Sequence, residues 1–285
     1  MRSLYYVTLA DPSSAAMDVS RTMTAQCGPR LELLAVPGVP LIRPGDALAE
    51  SILTALHSAK MDLLDGDVVV LCSKIVSRSE GRFVDLATVA PSPRALEVAR
   101  EVERDARLVE LILREGPEIS RQAKGVLVVR HRLGCITANS GIDLSNAMPE
   151  GAAKGSGPWV LLLPEDPDRS AEQVRRALHA ATKAAIGVLI TDSFSRPFRL
   201  GTVGAALGIS GLPPLWDRRG EPDLFGRRLE QTITALADQV AAAADLVAGQ
   251  ANESRPVIRV RGLSFEIGDY STNLLYRKSS EDLYA

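Results

Sequence analysis

Two periods organise the apolar positions of the chain. Leu48, Ile52, Leu53 and Leu56 recur at helical spacing, which predicts an amphipathic helix from about Asp46, with Asp46 itself as N-cap. Aliphatic runs of strand length stand at 67–72, 126–130, 159–163, 187–191 and 256–261, and a short strand is expected at 31–36, ahead of the turn Pro37-Gly38-Val39-Pro40. Helices are expected at 94–104 and 106–114, the second stopped by Gly116-Pro117. Ser170-Ala171-Glu172-Gln173 fits a capping box that opens a helix reaching about Ala184. A long helix is expected from about Arg227, with Leu229, Ile233, Leu236, Val240 and Val247 on its apolar face and Gly249 as its stop. Between these elements lie a polar stretch at 73–82, a Gly- and Asn-rich loop at 134–157 and a glycine-rich stretch from Asp192 to Gly226. Strands and helices interleave without the even beat of a doubly wound sheet. The expected class is therefore α+β, a mixed α/β arrangement of helices and mixed sheets, and not a Rossmann or P-loop fold.

Composition narrows the function. With 285 residues the chain is long enough for one large core or two smaller ones. Residues 1–30, which mix Ser, Thr, Met and Asp around a strand-like run at 4–9, read as an appendage, leaving 31–285 as the main domain. The aliphatic runs fall far short of the roughly 20 residues of a membrane span, and residues 1–10 lack the basic start and apolar core of a secretory signal, so a soluble cytoplasmic protein is expected. Cys27, Cys72 and Cys135 are widely spaced, which indicates neither a disulfide framework nor a thiolate zinc site. A net charge of −2 excludes a general nucleic-acid binder, so any anionic substrate must be met locally.

The Gly151-Ala152-Ala153-Lys154-Gly155-Ser156-Gly157 stretch places its lysine before the second glycine and is read as a flexible loop instead of a phosphate loop. His57, His131 and His179 stand apart and form no recognisable triad or metal site. Three polar clusters at strand ends or in loops remain. Ser73-Lys74-Ile75-Val76-Ser77-Arg78 offers two cations with hydroxyls between them, suited to phosphate oxygens, or else a solvated basic turn. Asn139-Ser140-Gly141-Ile142-Asp143-Leu144-Ser145-Asn146 offers hard oxygen donors at Asp143 and Asn146, or else an Asx turn. In Thr191-Asp192-Ser193-Phe194-Ser195-Arg196-Pro197-Phe198-Arg199 a strand delivers an acid, a hydroxyl and two arginines, a set for a metal beside an anion, or else a surface loop.

Taken in order, these clusters resemble the F420-0:gamma-glutamyl ligase family from about Val36 to the C-terminus. The stretches that carry the resemblance are Pro37-Gly38-Val39-Pro40-Leu41-Ile42 with Gly45-Asp46; Ser73-Lys74-Ile75-Val76-Ser77 with Glu80-Gly81-Arg82; the eight residues from Asn139 to Asn146; Leu163-Pro164-Glu165-Asp166-Pro167-Asp168; Asp192-Ser193-Phe194-Ser195-Arg196-Pro197; and Gly249-Gln250-Ala251-Asn252-Glu253. The resemblance implies a GTP-dependent ligase that activates a terminal carboxylate of coenzyme F420-0 as an acyl phosphate and joins it to L-glutamate. It implies two divalent cations, Mg2+ or Mn2+, with K+ as a further candidate ion. Asp143 and Asp192 would hold one, Ser193 and Gln250 the other. GTP would lie against Val39, Pro40, Leu41, Ile42, Ser73, Lys74, Arg78, Asn146 and the loop formed by Ala248, Gly249, Gln250, Ala251, Asn252, Glu253, Ser254 and Arg255. A homodimer is implied as well. Arg196, with Arg199 beside it, is assigned to anion contact on charge and position. The chain departs from the family pattern at Arg78, where lysine is usual, Ser193 for threonine, Ser195 for glycine and Phe198 for tryptophan. Two other readings stay open: the same chemistry on a different carboxylated acceptor, and a non-catalytic nucleotide-binding homologue.

Overall fold

A computed structural model describes residues 30–153 and 156–278; the proposed appendage at 1–30, its strand-like run and Cys27 lie outside them apart from Arg30. The elements in chain order are β1 Glu32–Ala35, α1 Leu48–Ser58, β2 Val68–Cys72, α2 Ser73–Ser79, β3 Phe83–Asp85, α3 Pro93–Val102, α4 Ala106–Glu115, β4 Glu118–Ala123, β5 Val126–Arg130, β6 Ile136–Ala138, β7 Trp159–Leu161, α5 Pro167–Thr182, β8 Gly187–Arg196, β9 Arg199–Ser210, β10 Trp216–Asp217, β11 Ile233–Thr234, α6 Leu236–Ala248 and β12 Val257–Arg261. The fold is α+β with mixed sheets, as the interleaving of periods predicts.

The main sheet runs β1-β12-β2-β8-β9. Only β2 and β8 are parallel neighbours; the other pairs are antiparallel. Both faces of β2 and of the first half of β8 are buried, which is why 68–71 and 188–190 are apolar at successive positions. Val69, Leu71, Val188 and Ile190 pack with Ile52 and Leu56 of α1 and Leu178 of α5 on one face. Val68, Val70 and Leu189 pack with Leu236, Val240 and Ala244 of α6 on the other. A second apolar cluster joins α3 and α4 to β5 and β7 through Val98, Val102, Val109, Ile112, Leu127, Val129 and Val160. It supports the β4-β5-β6 and β3-β7 sheets, from which the loop after β6 reaches the end of β2 and β8.

Several local expectations are corrected. Asp46 does not cap α1; the cap position is Ala47, and Asp46 Oδ2 accepts the Arg43 N–H at 2.8 Å to close the preceding turn. The polar stretch at 73–82 is not a turn, because α2 starts directly at the end of β2 and buries Ser73, Ser77 and Arg78. The strand expected at 159–163 ends at Leu161, and β6 forms within the expected loop. α5 starts a turn before the supposed capping box: Asp166 caps it by accepting Arg169 N–H at 3.0 Å, with Pro167 pre-set for the first turn, while the Ser170 hydroxyl donates to Glu80 at 2.6 Å.

Downstream of Asp192, β8 continues to Arg196 and returns as β9, so the glycine-rich stretch is largely strand. Two of its glycines, Gly204 and Gly208, are there for close approach. A Cβ at Gly208 would lie 2.5 Å from the Pro167 backbone, and one at Gly204 would lie 2.6 Å from Ala241 O of α6. The long helix begins at Leu236, not Arg227. Leu229 instead belongs to a looped segment whose backbone pairs with 218–221, Leu229 N–H donating to Glu221 O at 2.9 Å. No helix among the described residues is long and apolar enough to cross a membrane.

Candidate active site

The parallel register of β2 and β8 sets the site. Cys72 pairs with Thr191, so the residues that follow, Ser73 on one strand and Asp192 on the other, emerge at the same sheet end. The Ser73 hydroxyl and the Ser193 backbone N–H both lie close enough to the Asp192 carboxylate to favour its charged form. Asp143 arrives from the third direction. Its backbone is clamped to Leu161 of β7 by two hydrogen bonds of 2.9 Å, and its Oδ1 lies 3.2 Å from Lys74 Nζ.

The turn that delivers Asp143 is conformationally costly. Asn139, Ser140 and Gly141 take consecutive left-handed φ values of 52°, 54° and 62°. Two of the three are not glycine, and such residues persist only where the surroundings over-determine them. Here the Ser140 hydroxyl, fully buried, donates to Ile112 O at 2.9 Å, and a Cβ on Gly141 would lie 2.8 Å from Leu163. The fold thus holds two acids together where electrostatics opposes it. Burial and then the charge of Asp143 push the Asp192 carboxyl up to about 7; burial also raises Asp143, an effect that Lys74 counters.

Behind this pair, Cys135, Leu163 and Leu207 pack with Phe194 and Tyr276. Burial pushes the Cys135 thiol up to about 12 and the Cys72 thiol up to about 11, so both cysteines stay neutral thiols.

A second group sits along β8. Ser193 pairs with Gly204 of β9, and its hydroxyl donates to Gln250 Oε1 at 2.8 Å. The Gln250 amide nitrogen donates to Asp245 Oδ1 on α6. The loop carrying Gln250 leaves α6 at Gly249, with φ 80°, and is braced by Glu253 accepting Ala251 N–H at 2.8 Å and Arg255 donating to Val247 O at 3.3 Å. Ala251, Asn252, Glu253, Ser254 and Arg255 are exposed along it. Asp245 is absent from the residues singled out by sequence. Its signal is an acid in the last turn of a helix, against the local dipole, five residues before Gln250.

Arg78 is engaged inside the fold. It is buried, its Nε donates to Ile42 O at 2.8 Å and its Nη1 to Asn146 O at 3.1 Å, and its guanidinium lies 5.0 Å from the Phe83 ring centroid. It therefore ties the Val39, Pro40, Leu41, Ile42 loop to the loop carrying Asn146. A bidentate Arg43–Glu150 pair, at 2.7 and 2.9 Å, spans the same two loops at the surface. Arg196 and Arg199 stand at the far end of the β8–β9 hairpin, where Arg196 donates to Leu200 O at 3.3 Å; no ion pair joins either to Asp143 or Asp192.

The structure thus gathers Ser73, Lys74, Asp143 and Asp192 at one point, joins Ser193 to Gln250 along the same strand, and links Ile42 to Asn146 through Arg78. As a donor set this fits a hard divalent cation. Two carboxylates, a hydroxyl and an amide oxygen are all oxygen ligands, and the mutual repulsion of the acids is what a cation would relieve. Among the described residues no three His, Cys, Asp or Glu side chains converge into a cage.

The chain is similar to known proteins over most of its length. The family model for F420-0:Gamma-glutamyl ligase matches residues 38–262. A coenzyme F420:L-glutamate ligase of Methanothermobacter thermautotrophicus is 46% identical over 232 residues, covering 81% of this chain and 89% of the relative. Relatives of the same name from Methanopyrus kandleri and Archaeoglobus fulgidus are 42% and 41% identical, covering 90% and 89% of this chain and 98% and 96% of their own lengths. The chain belongs to the F420-0:gamma-glutamyl ligase family.

Proposed function

We propose that this chain joins L-glutamate through an amide bond to the terminal carboxylate of coenzyme F420-0, with GTP as the phosphoryl donor. The observation that carries the reading is the meeting of Ser73, Lys74, Asp143 and Asp192 at the end of the parallel strand pair. A carboxylate does not acylate an amine unaided. In the proposed sequence an acceptor carboxylate oxygen attacks the γ-phosphorus, the bond to the β–γ bridging oxygen breaks and GDP leaves. The glutamate nitrogen then attacks the acyl carbon, the carbon–oxygen bond to phosphate breaks, and the amine proton leaves with the phosphate. The first step brings anion to anion, so positioning and positive charge dominate its barrier.

Asp143 and Asp192 would hold one divalent cation, and Ser193 with Gln250 a second; bound there, such ions supply positive charge against the transferring and leaving oxygens. The Ser73 hydroxyl favours the charged form of Asp192 that a cation requires. Lys74, half-committed to Asp143, is free to share its remaining donors with a phosphate oxygen. Arg78 sets the spacing between the two loops that would flank the nucleotide. Arg196, whose Nε is buried without a hydrogen-bond partner, is the candidate contact for an acceptor or glutamate carboxylate. The implied homodimer has support in large apolar side chains left in solvent: Phe198 at 91%, Leu224 at 98% and Phe225 at 94% exposure.

Mass spectrometry of purified protein incubated with F420-0, L-glutamate, GTP and Mn2+ tests the reading. A product heavier by one or more glutamyl units is expected. GTP consumption only with another carboxylated acceptor would move the assignment to that acceptor, and no consumption with any acceptor would leave a nucleotide-binding homologue.

A further inference from the structure

We infer that Asp245 is a positioning residue for Gln250: it fixes which end of the Gln250 amide faces Ser193 and thereby creates an oxygen-lined cation position on β8. The inference rests on the proposed function, which makes Ser193 and Gln250 a cation pair. An amide side chain has two ends of similar size and opposite chemistry, a carbonyl oxygen that accepts and an NH2 that donates. A carboxylate can only accept. Asp245 therefore takes the nitrogen end, and Gln250 Oε1 is turned to the Ser193 hydroxyl at 2.8 Å. Without Asp245 the amide could equally present NH2, whose donors would oppose a cation.

Two independent features of the fold serve this contact. Asp245 lies in the last turn of α6, where the helix dipole disfavours an anion, and that turn carries no basic residue to offset it. The close approach that brings α6 beside Ser193 also depends on Gly204, the strand partner of Ser193. A Cβ at that position would lie 2.9 Å from Asp245 Cβ and 2.6 Å from Ala241 O. Strand register, a glycine and a disfavoured acid thus converge on one amide. Partners behind a metal ligand commonly change metal affinity by about 10–100-fold.

The test is a Mn2+ titration of the full chain with GDP present, following free Mn2+ by electron paramagnetic resonance. The wild type is expected to bind two classes of ion. D245A should weaken one class by about 10–100-fold and leave the other unchanged. The double variant D245A/Q250E should recover most of the lost affinity, because a carboxylate at position 250 presents oxygen at both ends and needs no orienting partner. D245L, which keeps the side-chain size but offers no acceptor, supplies the same comparison where D245A lowers the melting temperature. Wild-type binding in folded D245A or D245L overturns the inference while the proposed function stands. Weak binding that Q250E fails to restore in a folded protein also overturns it, by assigning Asp245 a purely architectural role. No protein-bound Mn2+ in the wild type overturns both the inference and the metal reading on which it rests.

Discussion

Replacing Asp192 by Asn should stabilise the metal-free protein while abolishing turnover, and the size of the effect can be worked from the site. Burial and the neighbouring Asp143 charge raise the Asp192 carboxyl from 3.8 to about 7. An acid with a raised folded-state pKa binds more protons folded than unfolded between those two values. Stability therefore falls as pH rises through that window, is unaffected below about 3.8, and carries the whole penalty above about 7. At about 1.4 kcal/mol per unit the ceiling is about 4 kcal/mol, and partial solvent exposure of the side chain brings this to about 2. Asn retains an acceptor for Ser73 and the Ser193 N–H but loses the charge assistance, a cost of about 1 kcal/mol. The net gain is then about 1 kcal/mol above pH 7.5, or roughly 2–4 °C in melting temperature for a chain of this size. Differential scanning calorimetry in chelator, at pH 4.5 and pH 8, measures it. The variant should match or trail the wild type at the lower pH and exceed it at the higher. Addition of Mn2+ should reverse the order at pH 8, because only the wild type gains a ligand. A variant that melts no higher than wild type at pH 8 in chelator would refute the picture of two acids held in conflict.

Other outcomes follow from the same geometry. Mn2+ affinity of the wild type should fall about tenfold per pH unit below about 7, since binding must first remove the Asp192 proton; a flat titration between pH 5.5 and 7 would contradict this. Arg78→Ala should cost about 2–4 kcal/mol in urea unfolding, as it strands the Ile42 and Asn146 carbonyls and removes the packing on Phe83. Gly208→Ala should be destabilised by more than about 3 kcal/mol or recovered insoluble, since its Cβ would overlap the Pro167 backbone at 2.5 Å; a normal melting temperature would remove close approach as the reason for this glycine.

What the sequence made legible was whatever depends on local period. The runs at 68–71 and 188–190 are apolar on every position because both faces of the sheet are covered, and they read as strands without further context; the run at 257–260 keeps the same reading although it includes the buried Arg259. Gly204 and Gly208 misled for the opposite reason. Their local preference is against strand, and only the approach of α6 and α5 makes a missing side chain necessary. Leu229 and Ile233 continue the phase of α6 by chance, while backbone pairing across 218–232 takes them out of it. At the site, Asp143 and Asp192 could be singled out as acids in polar clusters, one in a loop and one at a strand end, whose order along the chain carries the family resemblance. The burial of Arg78 and the hold of Asp245 on Gln250 could not, since each is decided by which loop lies opposite.

The parallel pairing of β2 with β8 also has a temporal meaning. During synthesis Ser73 and Lys74 leave the ribosome long before Asp143, and both precede the strand that carries Asp192. A partly made chain therefore exposes the basic half of the site without the acids that balance it, and no hairpin or single helix holds enough of the constellation to capture a cation. Closing so long a stretch of chain is among the slower events of folding. On the proposed function, metal capture at this point would report that β8 has been made and has paired with β2, giving a spectroscopic clock for co-translational folding that needs no added label.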